Sequence, residues 1–235
     1  MSAPHLRFDN VEISANGEAL LGPLNLSVTS PGITVIMGPN GAGKSLLLSA
    51  AHGLIDPSFG TITWDGVAAH TNRAARGFVF QTTPILRRSV AGNVVFPLIA
   101  QNIPRPKRRQ LLENALEAAR LTDAAHKPAA ALSGGERKRL ALARAMVCEP
   151  KVLLLDEPAA NLDPASTFEL EQSLRNISGG STKIYLSTHD IAQARRLADD
   201  ILFIDHGQLV EQSQAPEFLN APATKAAANY LKGIL

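Results

Sequence analysis

The octapeptide Gly38-Pro39-Asn40-Gly41-Ala42-Gly43-Lys44-Ser45 constrains this chain more than any other stretch of it. It fits GxxxxGK[ST] and has the flanks the mechanism needs. The apolar run Ile33 to Met37 reads as a buried strand before it, and Gly43 to about Gly53 reads as a helix after it. Glycines let successive backbone N–H groups turn toward phosphate oxygens without a Cβ in the way. The helix that follows offers its positive N-terminal end to an anion. Lys44 suits the β- and γ-phosphates of a nucleotide, and the Ser45 hydroxyl suits Mg²⁺. A purely structural Gly-rich turn is the alternative reading.

The remaining pattern alternates. Leu6 to Ile13 and Leu24 to Val28 read as strands around Asn16-Gly17 turn chemistry, and Thr61 to Asp65 and Gly77 to Gln81 as further short strands. From Ser89 to Met146 the periodicity turns helical, with Leu111, Leu112, Ala115, Leu116 and Ala119 at helix spacing. Strand and helix then alternate: Lys151 to Asp156, a helix from near Pro164, Lys183 to Ser187, a helix from Asp190. A hairpin, Ile201 to Asp205 and Gln208 to Glu211, turns on His206-Gly207, and the tail from Ala221 to Leu235 reads as helical. The expectation is an α/β fold: a P-loop NTPase core with a mainly parallel sheet, an antiparallel β subdomain and an inserted helical subdomain. The whole span 1–235 then forms one domain. The core and β part take about 1–88 and 150–235, and the helices about 89–149.

Composition removes several function classes. The 235 residues are 45% hydrophobic and 19% charged, which argues against a wholly disordered chain. A formal net charge of +2 gives no support to a strongly cationic nucleic-acid binder. One cysteine, Cys148, excludes an intrachain disulfide framework and fits a reducing compartment. No apolar leader segment follows Met1, and the strictly apolar runs are far shorter than the roughly 20 residues of a spanning helix. A soluble chain is expected, one that can still work at a membrane surface.

A second chemical motif closes the strand Val152 to Leu155 with Asp156-Glu157. The C-terminal edge of such a strand is where an α/β sheet collects ligands. Asp156 there can reach Mg²⁺ through water, and Glu157 can polarise an attacking water. Being adjacent, the two carboxylates should serve different roles. A third motif, Leu132-Ser133-Gly134-Gly135-Glu136, opens a helix with a hydroxyl and backbone donors, another anion-type site. A lone N-cap explains Ser133 equally well.

Six motifs in this order resemble an ABC-type ATPase subunit over nearly the whole chain. They are the P-loop, Gln81 as the Q-loop glutamine, LSGGE as the signature, VLLLDE as the Walker B strand, Ala160-Asn161-Leu162-Asp163 as the D-loop, and His189 in Ser187-Thr188-His189-Asp190 as the H-loop. The resemblance implies a head-to-tail dimer with two ATP molecules at its interface. Each ATP and its Mg²⁺ would sit on Gly38 to Ser45 and the Leu46 backbone of one subunit, facing Ser133, Gly134 and Gly135 of the other, with Asp163 nearby. Ser45, Gln81 and Asp156 would serve the metal. Glu157 would orient the water, His189 would contact the γ-phosphate, and Lys44 and Gln81 would complete the catalytic set.

Three departures from the family pattern stand out. Ala15 occupies the place of the usual adenine-stacking aromatic residue, Leu46 replaces a second hydroxyl, and Glu136 replaces the usual glutamine of the signature. The distance from Lys44 to Ser133 leaves no room for a long coiled-coil insertion, and there is no second P-loop. The resemblance therefore implies a motor working with a separate integral membrane permease, peripheral to the cytoplasmic face of the plasma (inner) membrane. A solute-binding protein, periplasmic or extracellular, would act indirectly, and no nucleic-acid partner is expected. An exporter subunit, or a soluble ATPase acting on nucleic acid or the ribosome, is the alternative.

The permease would dock where Gln81 meets the helices, along Thr82 to Asn93. Arg87 and Arg88 there either pair with acidic groups or form a solvated basic turn. Arg105 to Arg109 reads as a solvated helix start. Finer likenesses, in Ala51-His52-Gly53-Leu54, Ile62 to Gly66, Pro84 to Val90 and Gln193 to Asp199, are to the ATPase subunits of tungstate importers, with phosphate and molybdate importers as near relatives.

Overall fold

The computed structural model describes residues 3–82 and 84–234. Along the chain run β1 (Leu6–Ala15), β2 (Glu18–Val28), β3 (Ile33–Met37), α1 (Lys44–His52), β4 (Phe59–Trp64), β5 (Val67–Ala68) and β6 (Arg76–Val79). Three helices follow: α2 (Val90–Ala100), α3 (Arg105–Ala118) and α4 (Gly134–Met146). The chain then forms β7 (Val152–Asp156), α5 (Pro164–Ser178), β8 (Lys183–Ser187), α6 (Ile191–Leu197), β9 (Asp200–Asp205) and β10 (Gln208–Gln214), and finishes with α7 (Ala215–Asn220) and α8 (Lys225–Leu231).

The strands form two sheets. One is antiparallel, ordered β2-β1-β4-β5; the other is ordered β10-β9-β3-β8-β7-β6. In the second, β9, β3, β8, β7 and β6 are mutually parallel and β10 closes the edge antiparallel to β9. Every residue of β3, β7 and β8 is buried. Layers on both faces of a parallel sheet demand this, and it explains why these strands read as near-continuous apolar runs. Register brings Ile36 and Asp156 each opposite Ser187, so the chain leaves β3, β7 and β8 along one sheet edge.

Three apolar clusters hold the layers. Leu6, Phe8, Trp64, Leu47 and Leu48 fill the space between the antiparallel sheet, α1 and one face of the parallel sheet. Leu153, Leu155, Leu170, Leu186, Phe203 and Phe218 fill the other face. The helices α2 to α4 keep a cluster of their own around Val90, Val94, Leu98, Leu116 and Leu140. Among the described residues, no helix is long and apolar enough to cross a membrane.

The structure extends several sequence expectations. β2 begins at Glu18 rather than Leu24, because Asn16 and Gly17 both take positive φ (53° and 83°) and close a tight hairpin. That turn draws exposed Glu18 and Ala19 into pairing with Ala15 and Ser14 despite their lack of alternation. β6 ends at Val79, so Phe80 and Gln81 lie beyond the strand expected to include them. β10 runs on to Gln214, and β5 and α7 had no expectation. In the tail, α8 occupies Lys225–Leu231. Thr83, within the expected docking segment, lies outside the described residues, as do Met1, Ser2 and the tail's Leu235.

Candidate nucleotide site

The loop from Gly38 to Gly43 is bent by conformations open chiefly to glycine. Gly38 has φ +152°, and a Cβ there would stand 2.0 Å from the Ile204 carbonyl oxygen. Gly43 caps α1 in the left-handed region at φ +102°, with no side chain bonded to the helix start. The first-turn N–H groups of a helix have no intrahelical partner, so α1 presents free donors and its positive end at the loop. These are the donors a polyphosphate requires.

The Lys44 ammonium donates to the carbonyls of Gly38 and Pro39, each at 2.9 Å, and lies 4.0 Å from Glu157 Oε1. Burial pulls its pKa below the ordinary lysine value, while Glu157 and Asp156 act to raise it. The Ser45 hydroxyl donates to Asp156 Oδ1 at 2.9 Å. A hydroxyl and a carboxylate side by side, next to the free donors of α1, fit Mg²⁺, which keeps several waters and takes its other ligands from phosphates. No cluster of three or more His, Cys, Asp or Glu able to hold a metal exists among the described residues.

Asp156 and Glu157 separate their roles by backbone geometry. Asp156 completes β7, whereas Glu157 takes φ +41°, a left-handed conformation that costs a non-glycine residue about 1–2 kcal/mol. The Ser187 hydroxyl holds both: it accepts from the Glu157 N–H at 2.9 Å and donates to Asp156 Oδ1 at 2.7 Å. The turn aims the Glu157 carboxylate at other groups. Gln81 Nε2 donates to Oε2 at 3.2 Å, and His189 Nδ1 lies 3.1 Å from Oε1. A carboxylate framed by an amide, an imidazole and a lysine can orient a water beside a bound phosphate.

Asn40 to Leu46, Gln81, Glu157 and His189 line one open cleft of about 810 Å³, together with Asn161, Thr188 and Gln193. Gly38 is not among the residues lining it, while Pro39 faces a neighbouring cavity of about 550 Å³ beside α8. Ser133, Gly134 and Gly135 are not among the lining residues of the cleft. They start α4, where Ser133 and Glu136 form a reciprocal cap: Ser133 N–H to Glu136 Oε2 at 2.8 Å, Glu136 N–H to Ser133 Oγ at 3.3 Å. Glu136, the departure from the expected glutamine, thus has a local role, and these bonds pull its pKa down. Asp163 caps α5 through the N–H groups of Ala165 and Ser166, both at 3.0 Å. Ala15 ends β1 beside the Asn16-Gly17 turn, and among the described residues no Phe, Tyr or Trp lines the cleft.

Sequence reasoning missed Ser187 and Tyr230. Ser187 is fully buried at the end of an apolar strand, and that burial is the signal its polarity offered. The Tyr230 hydroxyl, on α8, lies 3.2 Å from the His189 carbonyl and 3.4 Å from that of Gly38. No local pattern ties the tail to these loops.

Residues 21–160 match the family described as ABC transporter. The methionine import ATP-binding protein MetN of Corynebacterium jeikeium is 34% identical over 90% of this chain, which spans 60% of that relative's length. The phosphate import ATP-binding protein PstB 2 of Natronomonas pharaonis is 33% identical over 94% of this chain and 84% of its own. In structure, CbiO1 of Clostridium perfringens, described as part of the ABC transporter complex CbiONQ, superposes with a TM-score of 0.82. It has 30% identity and covers 92% of this chain and 91% of its own. The P-loop at the free end of α1, the carboxylate pair closing β7 and these likenesses agree: the chain belongs to the ATP-binding proteins of the ABC transporter family, whose members are ATPases.

Proposed function

We propose that this chain is the motor subunit of an importer, hydrolysing ATP in a head-to-tail dimer to drive a solute through a separate membrane permease. One observation carries the catalytic part: Lys44, Gln81 and His189 converge on Glu157 in the cleft, while Ser133 to Gly135 start α4 outside it. A phosphate bound at α1 then meets signature donors only when a second copy supplies them. Glu157 orients the attacking water and Lys44 and His189 stabilise charge on the γ-phosphate, while Ser45, Asp156 and Gln81 hold the metal and its waters. The Leu46 backbone N–H completes the phosphate cradle, and Asp163 fixes the start of α5 beside the interface. ATP and Mg²⁺ supply the reacting phosphoryl group and its charge neutralisation.

Residues 89–149 act as the helical signature subdomain and receive the permease. Support comes from a groove of about 310 Å³ lined by Phe78, Phe80, Phe96, Pro97, Arg144 and Cys148, among others, beside the Gln81 segment. Phe80, Phe96 and nearby Ile99 are more than 40% exposed, an apolar rim suited to a partner's helix. Arg88 stacks over Phe96, with 5.3 Å between guanidinium carbon and ring centroid, so this arginine at least belongs to the rim.

Import fits the relatives, and their solutes differ although identity to this chain is nearly constant. The solute is assigned to an oxyanion such as tungstate on the local likenesses around Ala51 to Leu54 and Pro84 to Val90. The permease and an external binding protein make that choice. Glu157→Gln should retain ATP binding, abolish turnover and trap the dimer; normal hydrolysis by that variant removes Glu157 from its role. Uptake by the full assembly, reconstituted with permease and binding protein, should favour tungstate over methionine, and the reverse preference refutes the solute assignment.

A further inference from the structure

The helix that opens with the signature also grips the loop that carries Gln81. One turn beyond its cap, Lys138 on α4 donates from Nζ to the main-chain carbonyl of Gln81 at 2.7 Å. Two turns later, Arg144 donates from Nη1 to the carbonyl of Pro84, also at 2.7 Å. Both are charge-assisted bonds of short length, the stronger class of protein hydrogen bond. Gln81 is therefore held at both ends. Its carboxamide rests on Glu157 at 3.2 Å, and its carbonyl rests on α4.

The contacts form a continuous path. It runs from Glu157 through Gln81 and Lys138 into a 13-residue helix, and along that helix to Ser133 at its N-terminus. A helix of that length is a rigid rod about 20 Å long. Arg139 donates from Nη1 to Glu169 of α5 at 3.2 Å, and α4 packs two ways, with Leu140 and Ala143 in the helical cluster and Ala141 and Leu142 against the core of the parallel sheet. Its polar attachment to the cleft is Lys138. Burial lowers the Lys138 pKa, against the upward pull of Asp156 and Glu157.

We propose that Lys138 is a positioning residue that clamps the Gln81 loop to the signature helix, with Arg144 as the second clamp. The occupancy of one subunit's Glu157 site thereby sets where that subunit's Ser133 meets the nucleotide of its partner. Lys138 touches neither the substrate nor the reacting atoms; it makes the two composite sites respond together. This rests on the head-to-tail reading above, and the test separates the two.

The parent is the full chain carrying Glu157→Gln, with ATP-dependent dimerisation measured by sedimentation and single-site binding by fluorescent ATP at dilute protein. Lys138→Met keeps the aliphatic stem and removes the donor. It should weaken dimerisation about tenfold, as expected for the loss of one charge-assisted bond, and leave nucleotide binding within about twofold. Lys138→Arg should restore dimerisation, and Arg144→Met should weaken it in the same direction. In a chain also carrying Gln81→Ala, the effect of Lys138→Met should vanish, since the path is already cut. Parental dimerisation by Lys138→Met, or an undiminished loss in the Gln81→Ala background, overturns the clamp. A parent that binds ATP and never dimerises overturns the head-to-tail reading itself.

Discussion

Replacing Ser187 with alanine removes one oxygen and tests how Glu157 is held. That hydroxyl is fully buried, accepts from the Glu157 N–H at 2.9 Å and donates to Asp156 Oδ1 at 2.7 Å. Alanine leaves a part-buried N–H without its partner, at a residue already in the left-handed region at φ +41°. An orphaned buried donor costs about 1–3 kcal/mol. The cheapest relief is for the Glu157 turn to relax toward ordinary backbone angles, which moves its carboxylate away from Gln81 and His189. A displacement of about 1 Å in a reacting group can cost 10²-fold in rate. Asp156 keeps its bond from Ser45, and the free donors of α1 are untouched, so ATP affinity should hold within about twofold. The expected result is turnover lowered by about ten- to a hundredfold at saturating ATP, with near-normal nucleotide binding. Unchanged turnover accompanied by a lower melting temperature would refute the reasoning, because it would make this bond purely structural.

His52, buried beside Arg76 with Nδ1 unpartnered, is pushed down to about 4, chiefly by burial. Its unfolded form binds a proton below about pH 6.5, so its contribution to stability is complete above that pH and is lost as pH falls toward 4. The loss between pH 7 and 5.5 should be about 1 kcal/mol and absent in His52→Leu; chemical denaturation of both at the two pH values checks it, and parallel curves contradict it. Gly38→Ala forces a Cβ to within 2.0 Å of the Ile204 carbonyl oxygen and should destabilise the fold by more than about 2 kcal/mol. A wild-type melting temperature there would mean that β3 and β9 can part freely. With Ala15 in place of an aromatic residue, GTP should compete nearly equally with ATP for the cleft, since base stacking worth about 1–3 kcal/mol is missing. A strong ATP preference in competition binding refutes this, and Ala15→Tyr should raise affinity for both nucleotides.

What the sequence shows well, and what it hides, divides along a physical line. β3, β7 and β8 are legible because burial on both faces forces apolar runs, and such runs have clear ends. The gathering of Asn40 to Leu46, Gln81, Glu157 and His189 in one cleft is legible because each sits at or just beyond the C-terminal end of a core strand. β2 is underestimated because Glu18 and Ala19 pair through the hairpin's turn, with no alternation to announce it. The side chains that position Glu157, Lys138 and Ser187 among them, are hidden for a different reason. Their partners are main-chain atoms 57 and 30 residues away, and a main-chain carbonyl or N–H leaves no mark on composition or spacing. The groups that meet a nucleotide must be particular residue types at particular places. The groups that hold them need only a donor or acceptor of the right reach. A sequence therefore advertises its chemistry before its mechanics. In this chain the mechanics turn on four side chains, Ser187, Lys138, Arg144 and Tyr230, all of which bond to the main chain of the site's loops.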